Sequence, residues 1–577
     1  MYKLITQSNY YKEDLLEVIA RNREKDLNKI KNPSISETIH YSNLCKIENA
    51  VNATLHYSKK YTKVGIVVDS DADGYTSASE LFSYLEINFP SFDLLYYIHP
   101  EKEHGITDDV VKWCLDNNIE LLYTPDAGSN DFENHKTLAE QNILVIAIDH
   151  HEVSGEPTHA IVINSQLSQT YDNKQFSGVG IVYKFLQALD EALNIQDADN
   201  YLDLVAVGNI ADSMDISEPE TRYYVYEGLK KLKNPLLKEM IFQFIGKWDK
   251  VNPQSLSYDL IPKINGCIRF GTMEEKEDLF EAMIGHNEGV MYENTKARNE
   301  KNKWETFLQK ATRQAKNAHS RQNTAKKKWL GVLKERIEEE NLNSGAIIAV
   351  TIAKKEKFNS TLTGLVASSL VDVYSKPVLV LREIGEELIG SLRGYDPMSL
   401  DTKALLEKTG LFNWLQGHAN ACGVSINKDK LPLLKDEFMK YVSFSTEQKE
   451  MLVDFVLSEQ QMGRFIIENI HSHKKYWTKG FEEPMFAITD LNVDFNTVKV
   501  SSGGKVDWEI NGVTYTQFTT SKELANLAGT SQKAIMDVVG VASVNEFQGK
   551  TTYQFEVKEY KIKHIEEFTK KGFGFIF

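Results

Sequence analysis

Cysteine is scarce in this chain: four in 577 residues, at Cys45, Cys114, Cys267 and Cys422, with no Cys-x-x-Cys pair among them. That spacing argues against a zinc ribbon or a disulfide framework and fits a reducing compartment. Long apolar runs are missing too, since none approaches the roughly 18 residues that a membrane helix needs. The N-terminus shows no leader pattern, so the expectation is an intracellular, cytoplasmic protein. Excess positive charge is a third absence: 66 Lys and Arg stand against 82 Asp and Glu, a net charge of −16. This excludes a uniformly basic polyanion binder but leaves room for a local basic channel. What is present is an ordinary globular composition, 42% hydrophobic and 26% charged. The length suits about three or four domains.

The stretch Val64–Ser77, VGIVVDSDADGYTS, organises the rest. Val64, Ile66, Val67 and Val68 have the β-branched content of a buried parallel strand, which then breaks into Asp69, Asp71 and Asp73. Carboxylates so close repel one another and stay together around a cation. At the carboxyl end of a strand, where α/β sheets bind ligands, a divalent metal such as Mg²⁺ or Mn²⁺ fits, and imidazole ligands shift the preference toward Mn²⁺. The competing reading is an acidic turn capping the helical run near Thr76 and Ser77.

From residue 64 to about 215, further apolar runs alternate with helical patterns: DLLYYIH, IELLYTP, ILVIAID and HAIVIN. This predicts βαβ units and a parallel sheet. IELLYTP ends at Asp126, ILVIAID at Asp149-His150-His151, and a later helical stretch at Asn209-Ile210-Ala211-Asp212. Each Asp alone is common as a helix cap. Together, at successive strand ends, they would converge on one sheet edge with ligands enough for two metals. Before residue 60 the chain alternates at helical spacing without evident chemistry, with Ser36 a candidate helix cap.

In order and spacing, DSDADG, Asp126, Asp149-His150-His151 and Asp212 resemble the four motifs of the DHH phosphoesterase superfamily. The resemblance implies a two-metal, usually Mn²⁺, centre that hydrolyses phosphate esters or anhydrides. Position by position it implies Asp69, Asp71, Asp126, His150 and Asp212 as metal ligands, with Asp126 bridging. Asp73 becomes a supporting carboxylate and His151 a phosphate contact. Some members carry a metal-binding His two positions before the first Asp, where this chain has Val67. Ser177-Gly178-Val179-Gly180 and PKINGCIR, ending at Arg269, narrow the resemblance to the RecJ single-strand exonucleases. There the Arg at the position of Arg269 helps hold the 5′-terminal phosphate. A second family Arg, expected near HPEKEHG, is absent, and Lys102 is its candidate substitute.

Between Lys296 and Arg336 stand thirteen Lys and Arg against three Glu, with Trp304, Phe307 and Trp329 interspersed and no Pro. This predicts one long basic helix or two, where a phosphate backbone would find purchase, although a solvated spacer has the same composition. A second α/β unit follows, GAIIAVTI, TGLVASSLVDVY and PVLVL. Its Gly390-Ser391-Leu392-Arg393-Gly394 suits phosphate binding by backbone amides and a guanidinium. QGHANACG places His418 among small residues. Both segments resemble the DHH-associated domain, which implies Ser391, Arg393 and His418 as substrate-binding residues facing the metals across a cleft. The last part is strand-rich with a Gly-closed hairpin, suggesting an OB-fold barrel, and NEFQGK at 545–550 resembles the OB domain of RecJ. Trp508, Tyr515 and Phe518 are candidate base-stacking residues where exposed, with barrel core the alternative for each.

The expected architecture is α/β. An N-terminal helical segment (1–60) precedes a parallel-sheet DHH domain (61–290) and a long basic connecting helix (291–342). A second α/β, DHH-associated domain (343–445) and an OB-fold-like β-barrel (446–577) complete it. The resemblance implies a monomeric exonuclease of DNA repair or recombination that degrades single-stranded DNA 5′ to 3′ to mononucleotides. It further implies two divalent ions, Mn²⁺ preferred and Mg²⁺ accepted, a single-strand-binding protein or helicase as partner, and no membrane. Two other classes stay open. A small-substrate phosphoesterase would need neither the basic helix nor the last domain, and a non-catalytic DNA-binding scaffold would retain costly, repelling carboxylates.

Overall fold

The computed structural model describes residues 2–6, 13–295, 303–395, 401–442, 451–501, 505–518, 522–547 and 550–566. The chain groups into two compact units, residues 28–325 with 478–480, and residues 1–27, 326–477 and 481–577.

The first unit is built on a five-stranded sheet: β1 (Thr62–Val68), β2 (Phe92–Ile98), β3 (Leu121–Pro125), β4 (Leu144–Asp149) and β5 (Ile161–Asn164). The order is β2-β1-β3-β4-β5 and every pair is parallel. All five strands match the apolar runs predicted from sequence. They read as near-continuous hydrophobic stretches because both faces are covered. Val64, Ile66 and Val68 join one core with Tyr123, Ile146 and Ile148, while Val67 joins Leu122 and Val145 on the opposite face. This alternation is the pleat of a strand, and it turns Val67 away from its neighbours Ile66 and Val68. The first core includes residues of helices α1 (Ala72–Asn88), α2 (Gly178–Leu193) and α3 (Leu202–Ala211). Strand order reverses between β1 and β3, so Asp69 and Asp126 follow the two strands that flank the switch point, where open α/β sheets bind ligands.

Helix α4 (Ile261–Phe270) packs on the long helix α5 (Phe307–Glu339). A Cβ at Gly266 would lie 2.8 Å from His319 Cα, so the contact requires glycine. The basic stretch is not helical from its start: Met291–Glu293 and Trp304–Thr306 pair as a short antiparallel hairpin before α5 begins. Trp304 is therefore in a strand, and Lys296, Arg298 and Lys301 lie outside the described residues. Several α5 cations are engaged: Lys310 pairs with Asp278 at 2.7 Å, Arg313 with Glu305 and Arg321 with Glu275 at 2.5 Å. Lys326, Lys327 and Lys328 form no ion pair among the described residues. At the start of the unit the cap is Ser34, not Ser36, because its Oγ accepts the Ser36 N–H at the head of a one-turn 3₁₀ helix, Ile35–Glu37.

The second unit contains β6 (Ile348–Ile352), β7 (Val378–Ile384), β8 (Glu387–Arg393), β9 (Phe412–His418) and β10 (Ala421–Asn427) in the order β9-β10-β8-β7-β6. Only β6 and β7 run parallel; the other pairs are antiparallel, with β10 inserted between β8 and β9. Gly390, Ser391 and Arg393 therefore lie within a strand, not in a loop after one. A separate mixed seven-stranded sheet holds the C-terminal strands, including the long pair Lys533–Phe547 and Lys550–Glu566. There two of the three candidate aromatics take the core alternative. Trp508 and Tyr515 are buried and stack on each other at 5.7 Å, because cross-strand pairing puts both on the inner face. Phe518 alone of the three is exposed, with Lys505 5.7 Å from its ring.

Candidate metal centre

The centre assembles at the carboxyl edge of the parallel sheet. Asp71 caps α1, its Oδ1 accepting the N–H groups of Asp73 (3.1 Å) and Gly74 (3.2 Å). The capping and metal readings of this carboxylate coexist, because donor oxygens of Asp69, Asp71 and Asp126 lie within 4.8 Å of one another. Gly74 lets the turn close: a Cβ there would sit 2.5 Å from Asp69 Cβ. Asp73 points to the head of α2, taking hydrogen bonds from Ser177 Oγ (3.0 Å), Gly178 N (2.7 Å) and Val179 N (3.3 Å). The Ser-Gly-Val-Gly segment thus serves as a carboxylate cradle at a helix N-terminus, where orphan N–H groups and the dipole favour an anion.

Asp126 follows β3 in the left-handed region, φ +65°, a backbone state that costs a non-glycine residue energy and persists only where the surroundings hold it. Its side chain lies against Gly178, where a Cβ would be 2.5 Å from Asp126 Cβ. His150 Nε2 lies 3.3 Å from Asp126 Oδ1, 3.4 Å from Asp212 Oδ2 and 4.0 Å from Asp73 Oδ2. Asp212 is delivered by the end of α3, whose close approach to α1 needs Gly208: a Cβ there would stand 2.7 Å from Thr76 Oγ1 and against Asp73. Two further donor groups result, Asp73 with His150 and Asp212, and Asp126 with Asp149, His150 and His151. The sequence-predicted ligands Asp69, Asp71, Asp126, His150 and Asp212 are therefore brought to one place.

The electrostatics describe a site built for a cation. Burial, then the Asp73 charge, raises the Asp126 carboxyl well above its usual range. Burial and Asp73 push Asp212 up to about 8, and burial and Asp71 push Asp73 up to about 6. Burial also opposes ionisation of Asp71, but Arg269 (3.6 Å away) and His104 outweigh it and hold the group below its ordinary value. Asp126 Oδ1 is buried and receives no hydrogen bond. Carboxylate oxygens crowded this way, with one imidazole among them, fit divalent Mg²⁺ or Mn²⁺.

Two features escaped the sequence reading. Asp149, a member of the donor group around Asp126, also fixes His151: its Oδ1 accepts His151 Nδ1 at 2.7 Å and its Oδ2 accepts Ser129 N at 3.1 Å. Burial lowers the His151 pKa, yet the bond to Asp149 prevails and lifts it to about 9, leaving a half-exposed cation beside the carboxylates. His104, within HPEKEHG, binds Asp69 Oδ2 through Nδ1 at 2.6 Å, and Lys102 nearby is exposed. Only an adjacent carboxylate distinguishes such histidines, and that adjacency is tertiary.

Residues 63–209 match a family model described as the DHH family, N-terminal domain. RecJ of Bacillus subtilis, a single-stranded-DNA-specific exonuclease by name, is 25% identical over 88% of this chain and 62% of its own. A second B. subtilis protein, named as the SPbeta prophage-derived single-strand DNA-specific exonuclease YorK, is 35% identical over 98% of this chain and 99% of its own. The chain belongs to the RecJ-like members of the DHH family. The fold agrees: the crystal structure of Thermus thermophilus RecJ with Mn²⁺ superposes with a TM-score of 0.71 at 18% identity, covering 95% of this chain and 75% of that one.

The second unit of this RecJ-like chain carries the other residues singled out by sequence. Register places Arg393, Ala421 and His418 in one cross-strand row of β8, β10 and β9, and Ser391, Gly423 and Gln416 in the next. Residues two apart on a strand share a face, so Ser391, Arg393 and His418 share one, with small residues between them. Ser391 Oγ is 2.8 Å from Thr363 Oγ1 at the head of helix Thr363–Tyr374, and His418 is exposed at the β9–β10 hairpin. Trp414, unnoticed in the sequence, lies over Gly423, its ring 3.2 Å from where a Cβ would be.

Proposed function

We propose that this chain is a metal-dependent exonuclease of DNA repair or recombination. It hydrolyses phosphodiesters of single-stranded DNA from a 5′ end and releases mononucleotides. The observation that carries the reading is the carboxylate–imidazole cluster at the sheet's switch point, within a chain whose RecJ-like relatives are named single-strand DNA-specific exonucleases. Two divalent cations, Mn²⁺ in preference to Mg²⁺, are proposed. Asp126 belongs to two of the three donor groups, which supports a bridging role, with Asp69, Asp71, His150 and Asp212 completing the ligands. When bound, such cations lower the pKa of water and neutralise charge on phosphoryl oxygens.

The chain's own residues do the rest. Asp73 is fixed by the α2 cradle and so holds the donor geometry. His151, kept protonated by Asp149, offers its outer N–H to a phosphoryl oxygen that gains charge in the transition state. Arg269 is proposed to hold the 5′-terminal phosphate: its Nε is buried without a hydrogen-bond partner, a donor that an anion would satisfy. Ser391, Arg393 and His418 are the proposed strand-binding groups of the second unit. The seven-stranded sheet is proposed as an OB-fold-like nucleic-acid module and Lys326–Lys328 as a backbone contact.

The test is degradation of an oligonucleotide labelled at the 5′ or the 3′ end, with Mn²⁺ and with chelator. Early release of 5′-labelled mononucleotide only with metal is expected. DNA bound but never cleaved in Mn²⁺ would refute the reading. Asp126→Asn is expected to cut hydrolysis by at least about a hundredfold, as for lost metal support. It should leave the thermal midpoint in chelator equal or higher, because it removes a repelled buried charge.

A further inference from the structure

Two strand-end aspartates of the centre carry the same attachment. Asp149 takes the Nδ1–H of His151 at 2.7 Å together with the N–H of His151 at 3.1 Å. Asp69 takes the Nδ1–H of His104 at 2.6 Å together with the N–H of Gly105 at 3.1 Å. In each pair the carboxylate fixes the ring by its inner nitrogen and leaves the outer edge open, with side-chain exposures of 55% for His151 and 52% for His104. His104 belongs to none of the three donor groups. Its Nε2 has no hydrogen-bond partner among the described residues.

The segment bearing His104 is held in place from several sides. Lys276 Nζ donates to His99 O (3.2 Å) and Pro100 O (2.8 Å), and Ser70 Oγ to Glu101 O (3.4 Å). Asp131 accepts Ile106 N at 2.6 Å, and Asn134 Nδ2 reaches Ile106 O at 2.5 Å. Gly105 supplies the left-handed turn, φ +64°, that returns the chain to Asp69. A solvent-facing stretch anchored at both ends fixes the position of what it carries.

We propose that His104 is a second phosphate-contacting imidazole, its Nδ1 holding Asp69 while its Nε2 donates to a phosphate oxygen of the bound strand. It would do on the Asp69 side of the centre what His151 does on the Asp149 side. The proposal rests on the exonuclease reading above.

Two substitutions separate the two bonds. His104→Asn keeps an amide donor near the position of Nδ1 but has nothing at Nε2, whereas His104→Ala removes both. The full-length protein in Mn²⁺ is titrated with a hydrolysis-resistant phosphorothioate oligothymidylate by fluorescence anisotropy across a salt series. Mn²⁺ affinity is measured separately from the paramagnetic resonance of the free ion. The Asn variant is expected to bind Mn²⁺ like wild type and the oligonucleotide roughly tenfold more weakly, as for one charge-assisted bond. Its salt slope should fall by about 0.7, one single-strand phosphate contact. The Ala variant should lose Mn²⁺ affinity as well. An Asn variant with wild-type oligonucleotide affinity and slope overturns the proposal. So does one that loses Mn²⁺ as strongly as Ala, which would make the ring a cation ligand. A wild-type protein that binds no oligonucleotide overturns the exonuclease reading itself, and this inference with it.

Discussion

Gly178→Ala is the most demanding test of how the centre is held. The added methyl would lie 2.5 Å from Asp126 Cβ and 2.6 Å from its Cγ, where carbon pairs need about 3.5–4.0 Å. The helix head cannot retreat, because Gly178 N and Val179 N are bonded to Asp73. Asp126 cannot rotate freely, because its backbone sits at φ +65° with its N–H bonded to Ile148 O at 2.7 Å. The carboxylate must therefore move by about 1 Å, several times the roughly 0.2 Å that metal–ligand distances tolerate. Overpacking of this kind costs about 1–3 kcal/mol in a well-packed interior, and a 1 Å misplacement can cost about a hundredfold in rate. We expect kcat/KM on single-stranded DNA to fall by about two orders of magnitude and Mn²⁺ affinity by about tenfold or more. Mn²⁺ titration by paramagnetic resonance, a gel assay and thermal unfolding measure the three effects. Gly331→Ala is the control, since nothing lies within 4 Å of a Cβ there. Wild-type Mn²⁺ affinity and rate in Gly178→Ala, or an equal loss in Gly331→Ala, would refute the steric argument.

Three other perturbations probe different parts of the chain. Lys184 and Glu220, both 1% exposed, pair at 2.7 Å, so Lys184→Met strands a buried carboxylate and should destabilise the first unit by about 3–5 kcal/mol; a loss in urea unfolding below about 1 kcal/mol would contradict this. His286 bridges Glu281 (2.8 Å) and Glu86 (3.0 Å); burial lowers its pKa, but the two carboxylates raise it further, so the net shift is upward from 6.5. Its stabilising contribution is then complete below pH 6.5 and lost as pH rises through the raised value, so the melting difference between wild type and His286→Asn should shrink from pH 6 to pH 9, and a constant difference would count against it. Replacing Lys326, Lys327 and Lys328 with Gln should lower the salt slope of single-strand binding by about 2, since each phosphate contact contributes about 0.7; an unchanged slope would make this part of α5 a spacer.

Much of this protein was decided locally. The parallel strands were legible because both faces of the sheet are buried, which leaves no polar alternation to blur the apolar runs. The convergence of the donor groups was legible because those strands end in carboxylates and imidazole, and a parallel sheet delivers its strand ends to one edge. That rule places Asp69, Asp71, Asp126 and His150 at one edge, whereas Asp212 closes a helix and its place in the set came from the family resemblance.

Tertiary packing decided what pairing and adjacency require. The basic stretch begins as a hairpin because Met291–Glu293 finds Trp304–Thr306, and helical propensity cannot foresee a strand partner. Trp508 and Tyr515 turned inward because the face a strand buries depends on its neighbours in the sheet. Asp149 and His104 were invisible as participants for the same reason, since their significance lies in partners, His151 and Asp69, that only the folded loops bring within hydrogen-bonding distance. The sequence determined which groups reach the sheet edge, because local periodicity encodes strands and their ends. Only the tertiary structure decided which of those groups cluster, which hydrogen-bond to one another and which face outward, because this depends on distances of a few ångströms between segments far apart in the chain.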